Sequence, residues 1–307
     1  MKIINTTEFH IEEKTACAIG KFDGIHIGHM ELLQDILGMK EQGFKTTVFT
    51  FNPSAAVFFG GQDVKDITTV EEKRVIFEKL GVDYLVEYPL NKETAKLSPE
   101  DFIKDILVSK MNIGYIVAGD DLSFGYKGAG NAALLNNLKD QYGYEVRIID
   151  KLLFEDREVS STYVREELTK GNIEKANKLL GYEYSFMGKV MTGFKLGSKM
   201  GMPTLNVYPS DDKLLPPFGV YFSKVIFRGT EYNGVTNIGT RPTVSGGDLR
   251  VSVETFLYDF DMDIYGEDIC VLLLHFKRPE QRFENKEELF ATIGKDIEDG
   301  KTYFALQ

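Results

Sequence analysis

The chain has little with which to build a covalently stapled or membrane-borne protein. It carries only two cysteines, Cys17 and Cys270, far apart and each in an apolar run. That argues against a disulfide framework or a Cys-rich metal site, and for two buried thiols in a reducing cytoplasm. No apolar run approaches the ~20 residues that span a bilayer. Met1-Lys2-Ile3-Ile4-Asn5 has no signal-peptide core or cleavage site. Positive charge is also in deficit: 36 Lys and Arg face 47 Asp and Glu, a formal net charge of -11. Phosphate backbones need clustered Lys and Arg, so no nucleic-acid partner is expected, and no membrane partner either. Small anions stay open to the chain, because backbone N–H groups, His and a bound cation can hold a nucleotide on an acidic protein.

Histidine is scarce too, four residues in all, and two of them fall within Gly20-Lys21-Phe22-Asp23-Gly24-Ile25-His26-Ile27-Gly28-His29. Thr15 to Ile19 before it reads as a strand. Met30 to Met39 after it places its apolar residues on one helical face. A Gly-rich strand-to-helix turn exposes helix N–H groups and can hold a phosphate. His26 and His29 can donate hydrogen bonds to phosphate oxygens as charge shifts. The rival readings are a metal site, which lacks further nearby ligands, and a turn with two surface histidines.

Composition at this length, 307 residues with 43% hydrophobic, describes a globular chain with room for two domains. Through about residue 150, short runs rich in Val, Ile, Phe and Tyr alternate with helical segments. The strands are Lys45 to Phe51, Val82 to Tyr88, Ile113 to Ala118 and Glu145 to Ile149; the helices include Thr69 to Leu80 and Pro99 to Lys110. Ser98 is a natural cap for the latter, with Pro99 at its first position. This alternation predicts a parallel sheet with helices on both faces. Ser161 to Leu168 and Ile173 to Leu180 read as two short helices. From Tyr184 on, strands follow one another at Phe186 to Thr192, Val220 to Phe227, Glu231 to Ile238, Arg250 to Tyr258 and Asp268 to Phe276. They predict an antiparallel sheet or small barrel, closed by an amphipathic helix from Asn285 to Ile297. The domain boundary is expected near residue 183.

Three more segments bear on chemistry. Gly119-Asp120-Asp121-Leu122-Ser123-Phe124-Gly125 follows a strand, where open α/β sheets bind ligands. Ser160-Ser161-Thr162-Tyr163-Val164-Arg165 puts hydroxyls and a guanidinium at a helix start, which suits phosphate or simply caps the helix. Gly193 to Asn206 spaces glycines like a flap but lacks the Gly-Lys-Ser/Thr of a Walker loop. Thr204 and Asn206 share a side of an extended chain and offer oxygen to a cation, or merely continue a hairpin into a strand. Glu254 lies on the face of Ser252 and Phe256 in its strand, as a candidate base or a solvated carboxylate.

The turn at 20–29, Thr50-Phe51-Asn52-Pro53, the 119–125 segment and Ser160 to Arg165 resemble the adenylyltransferase half of bacterial bifunctional riboflavin kinase/FAD synthetases. The later segments are similar to the riboflavin kinase half: Pro203-Thr204-Leu205-Asn206, Phe218-Gly219-Val220-Tyr221, Asn237 to Thr243, Val253-Glu254, Tyr265-Gly266 and Arg278 to Phe283. The resemblance implies a Rossmann-like nucleotidyltransferase domain over 1–183. A six-stranded antiparallel β-barrel with a C-terminal helix follows over 184–307. It implies phosphorylation of riboflavin to FMN, then adenylylation of FMN to FAD with release of pyrophosphate, using ATP and Mg2+. By the same resemblance His26 and His29 serve the ATP phosphates, together with Gly20, Phe22, Asp23, Gly28, Ser161, Thr162 and Arg165. Asp121 and Phe124 line the nucleotide and flavin. In the kinase, Gly197, Lys199 and Gly201 cover ATP, Thr204 and Asn206 ligate the metal, Glu254 is the base and Arg278 approaches the flavin. The chain departs from the usual pattern at Ser54 and Ala55 after Pro53, at Leu122, Tyr163 and Phe256, and at Ser198 where Arg is usual. The alternatives are a single-activity FMN adenylyltransferase, a flavin-binding regulator without turnover, and a cytidylyl- or adenylyltransferase for another phosphate acceptor, which the attached barrel disfavours.

Overall fold

Short strands apolar on both faces, spaced by amphipathic helices, suit a parallel sheet whose two faces those helices cover. The computed structural model, which describes residues 1–60, 65–191, 202–242 and 249–306, has this arrangement in the first of two compact units, Met1–Ser161 and Thr162–Gln307.

The first unit holds strands β1 (Lys2–Ile4), β2 (Thr15–Ile19), β3 (Lys45–Asn52), β4 (Tyr84–Pro89) and β5 (Ile113–Gly119). Two-residue strands β6 (Ser123–Phe124) and β7 (Gly130–Asn131) form a small ribbon, β8 (Glu145–Ile149) rejoins the sheet, and β9 (Leu153–Phe154) pairs with β10 (Arg157–Glu158). The main sheet is parallel throughout, in the order β1-β4-β3-β2-β5-β8. Its helices are α1 (Ile27–Gly38), α2 (Ala55–Gly60), α3 (Val70–Lys79), α4 (Pro99–Asp101, continuing as a π-helix over Phe102–Lys110) and α5 (Ala132–Tyr142). Side chains alternate along each strand. Ala16, Ala18, Tyr115 and Val117 pack with Leu33 and Ile36 of α1 and Phe77 of α3. Cys17, Ile19, Ile116 and Ala118 pack on the other face with Phe102, Ile103 and Leu107, and with Leu135 of α5. Each fully buried large apolar side chain among them, such as Leu33, Ile36, Phe77 or Ile116, stabilises the fold by about 1.5–3 kcal/mol. Ser98 caps α4 as expected, its hydroxyl accepting from Asp101 N at 3.1 Å. Strand order reverses at β2: the chain steps outward to β3 and β4, then returns to β5 on the other side. The crevice beyond the carboxyl ends of β2 and β5 is therefore the topological switch point.

The second unit opens with the body of α6 (Ser161–Lys170) and with α7 (Ile173–Leu180). Six antiparallel strands follow: β11 (Ser185–Lys189), β12 (Thr204–Val207), β13 (Gly219–Phe227), β14 (Thr230–Pro242), β15 (Leu249–Leu257) and β16 (Asp268–Pro279), in the order β11-β16-β13-β14-β15-β12. Met191 N donates to Asn206 O at 2.8 Å, so the two ends of the sheet meet and it curls as a barrel sheet. On one face, buried hydroxyls satisfy one another: Ser223 to Thr236 and Thr236 to Thr255, each 2.7 Å. On the other face Val220, Phe222 and Val235 pack against Tyr258 and against Tyr303 and Phe304 of α8 (Lys286–Ala305). Asn285 caps α8, accepting from Glu288 N at 2.8 Å. The helix runs past the expected end at Ile297 because Tyr303 and Phe304 find partners there; Tyr303 lies 4.9 Å from the Phe222 ring. Both thiols were expected in the core, but only Cys17 is buried. Cys270 is half-buried, since it alternates with inward-facing Ile269 and Val271.

Candidate functional site

The turn between β2 and α1 is held in a conformation that most residues avoid. Phe22, Gly24 and Ile25 have φ of 50°, 84° and 37°. A non-glycine residue there costs about 1–2 kcal/mol, offset at Phe22 and Ile25 by complete burial. Neighbouring chain fastens the turn. Ile67 N donates to Asp23 Oδ1 at 2.8 Å, Gly24 N to Thr68 Oγ1 at 3.0 Å, and Ser161 Oγ to Asp23 O at 2.7 Å. Gly20 N donates to Phe49 O at 3.2 Å. Asp23 and Ser161 thus hold the loop together, and Phe22 packs edge-on to Phe77 at 5.6 Å.

His26 is the N-cap of α1 and 7% exposed. Its Nδ1 accepts from His29 N at 3.4 Å, which leaves the proton of the neutral ring on Nε2. The His26 and His29 rings stack 3.8 Å apart at 16°. A β-carbon on Gly28 would sit 3.3 Å from His26 Nδ1, so glycine keeps this corner open. Burial pushes His26 down to about 4, against a smaller upward pull from Asp121. Burial also holds His29 well below the usual range, aided by His26 and then by Lys73. His29 Nδ1 is buried with no hydrogen-bond partner among the described residues. Two neutral imidazoles and the free N–H groups of a helix start therefore converge at the switch point. A metal-binding cluster is a poorer fit: no group of three or more His, Cys, Asp or Glu is placed for one among the described residues.

Asp121 sits past β5 on the other side of that crevice, its carboxylate 3.5 Å from Lys151 Nζ, which also holds Glu158 at 2.9 Å. Phe124 lies in the core, 3% exposed and 5.3 Å from the Phe102 ring. Thr162 and Arg165 occupy the first turns of α6.

The kinase-like segments meet through strand register. Asn206 is opposite Glu254, Glu254 opposite Asn237, Asn237 opposite Val220, and Val220 opposite Arg278. Directly paired residues share a face, so Asn206, Glu254 and Asn237 stand side by side across three strands. Thr204, two residues before Asn206, is on that face as well. Glu254 is 8% and Asn206 4% exposed. Ser252 Oγ donates to Glu254 Oε1 at 3.4 Å. Asn206 donates its amide N–H to Thr204 O at 3.4 Å, leaving its side-chain oxygen for another partner. A hydroxyl, an amide oxygen and a nearby carboxylate are hard oxygen donors, a set that fits Mg2+ shared with phosphates rather than a protein cage. Arg278 instead forks onto Asp296 of α8, with Nε–Oδ1 3.1 Å and Nη2–Oδ2 2.7 Å. Gly197, Lys199 and Gly201 lie outside the described residues. Asn237 was legible only as part of a motif; its place beside Glu254 needs the register. Lys151 and Lys73 carried no signal beyond charge, although Lys73 precedes Phe77 by one turn on the apolar face of α3.

Known proteins match this chain along nearly its whole length. A FAD synthetase family model matches residues 8–163, and a riboflavin kinase model residues 180–304. A bifunctional riboflavin kinase/FMN adenylyltransferase of Listeria monocytogenes is 36% identical, over 98% of this chain and 96% of that protein. Its namesake in Bacillus subtilis is 35% identical over 99% of both chains. The Escherichia coli K12 protein of the same name is 35% identical, over 96% of this chain and 94% of its own. A solved structure described as a macrolide-efflux protein from Streptococcus pneumoniae has a TM-score of 0.85 at 28% identity, covering 98% and 99% of the two chains. Among the described residues no helix is long and apolar enough to cross a membrane.

Proposed function

Because the chain belongs to the family of bifunctional riboflavin kinase/FMN adenylyltransferases, we propose that it phosphorylates riboflavin to FMN and adenylylates FMN to FAD. The observation that carries the reading is that one chain holds both constellations: the stacked His26 and His29 at the switch point, and the Asn206–Glu254–Asn237 row. The functional modules divide near residue 183, a reading supported by the start of the riboflavin kinase match close by, at residue 180.

In the adenylyltransferase, a phosphate oxygen of FMN bonds to the α-phosphorus of ATP as the bond to pyrophosphate breaks. Negative charge moves onto the departing pyrophosphate. The His26 Nε2–H, His29 and the first N–H groups of α1 are donors for that charge, preorganised by the stack and the cap. No side chain needs to act as a base, because the attacking phosphate is already anionic; catalysis is positioning and electrostatics. Ser161, Thr162 and Arg165 are assigned to the β- and γ-phosphates by the family resemblance, and Asp121 and Phe124 to the nucleotide and flavin side.

In the kinase, Glu254 takes the proton of the terminal ribityl hydroxyl. That oxygen bonds to the γ-phosphorus and ADP leaves. Ser252 orients the carboxylate. Thr204 and Asn206 would hold Mg2+, which when bound neutralises phosphate charge. Arg278, tied to Asp296, sets the rim on the flavin side. Two unbridged cysteines suit a reducing compartment, and the cytoplasm is the proposed location.

Incubation with riboflavin, ATP and Mg2+, with products separated by chromatography, tests the reading. Wild type should accumulate FMN and FAD. Glu254→Gln should abolish FMN formation yet convert supplied FMN to FAD, and His29→Ala should do the reverse. Absence of both products from wild type, or loss of both reactions in either folded variant, refutes the two-site assignment.

A further inference from the structure

Lys73 lies in the first turn of α3, just after the reciprocal cap between Thr69 and Glu72. It is 8% exposed, rare for a lysine. Its stem is packed away while the Nζ still reaches the surface, and no side-chain hydrogen bond or ion pair joins that Nζ to another described residue. The neighbouring charges are engaged elsewhere: Glu72 accepts from Thr69 N at 3.0 Å, and Arg74 forks onto Glu87. The buried face of α3 is fastened to the histidine turn. Phe77, one turn after Lys73, meets Phe22, whose ring is 5.1 Å from His29. The bonds from Ile67 and Gly24 anchor the segment leading into α3 on the same turn. The charge of Lys73 is felt at His29, where it adds to burial and His26 in keeping the imidazole neutral. Packing alone would favour an apolar side chain here; what the spot has is a lysine one turn from Phe77, on the helix that the Phe22 ring and the Gly24 and Ile67 bonds fasten to the histidine turn.

We infer that Lys73 is a further phosphate-binding residue of the adenylyltransferase site, its ammonium reaching from the helix fastened to the histidine turn to take an oxygen of the nucleotide's polyphosphate. The inference rests on the adenylyltransferase reading above. A phosphate bound at the turn would take a hydrogen bond from the ammonium and meet the buried His29 Nδ1 edge together.

The test uses the full chain with Lys73→Met, which keeps the stem, and Lys73→Arg, which keeps the charge. FAD formation from FMN and ATP gives KM for each substrate and kcat, and calorimetry gives the affinity for inorganic pyrophosphate. Riboflavin phosphorylation by the same preparations reports folding of the second unit, and urea unfolding that of the first. Lys73→Met should weaken pyrophosphate binding and raise KM for ATP by about tenfold or more, the loss of a charge-assisted hydrogen bond. Lys73→Arg should recover most of both. Unchanged pyrophosphate affinity and ATP KM in Lys73→Met overturn the inference. So does a rise confined to the KM for FMN, or an effect that Arg does not rescue. Wild type that makes no FAD from FMN and ATP sinks the adenylyltransferase reading itself, and the inference with it.

Discussion

Acid should weaken the first unit through His26 before any carboxylate is reached. The ordinary histidine value is 6.5, and burial holds His26 at about 4, Asp121 pulling weakly the other way. Between those values the unfolded chain binds a proton that the folded chain refuses. The stability contributed by neutral His26 is therefore complete above about pH 6.5 and is lost as pH falls toward 4. The interval corresponds to about 3 kcal/mol in full, and to about 2 kcal/mol by about pH 5. His29 is shifted in the same direction and adds to the slope. The informative variant is His26→Asn. Asparagine supplies the same N-cap acceptor for α1 but does not titrate. Urea unfolding of wild type and variant at about pH 7 and about pH 5 should show wild type losing about 2 kcal/mol more between the two. With only four histidines in the chain, imidazole resonances can be followed one by one by NMR. Equal pH dependence in wild type and His26→Asn refutes the reasoning, as does a His26 resonance that titrates near the ordinary value.

Two predictions concern the second unit. Asp296→Ala leaves the Arg278 guanidinium without its fork, and should cost roughly 2–3 kcal/mol, below a fully buried pair because Arg278 is 20% exposed; denaturant unfolding measures it. Asp296→Asn should recover part of that loss. Gly219→Ala should destabilise by more than about 2 kcal/mol, since its φ of 154° and a β-carbon 2.2 Å from Arg278 O leave no room without moving β16. A variant as stable as wild type would show that the two strands separate there at little cost.

Much of the molecule is legible in one dimension. The alternating runs from Thr15 to Ile149 specify a covered parallel sheet, because a strand buried on both faces needs helices over both. Ser98 and Asn285 mark their helix starts by local chemistry, a side-chain oxygen answering an N–H three residues on. The histidine turn is local as well, since its glycines and the strand and helix beside it are contiguous in the chain. Other features depend on residues that meet only after folding. Asn237 becomes a neighbour of Glu254 through the pairing of β14 with β15. Arg278 is held by a residue 18 positions away on α8. Cys270 is drawn partly outward by the strand's alternation. Lys73 reads as an ordinary surface lysine until α3 is laid against the turn. By itself, then, the sequence determined the elements, the two sheet classes and the turn that carries His26 and His29. Only the tertiary structure decided which charges are buried, which residues stand abreast, and what faces the histidines. The physical reason is that periodicity says which face of an element is buried, while the partner across that face is a long-range choice made by packing.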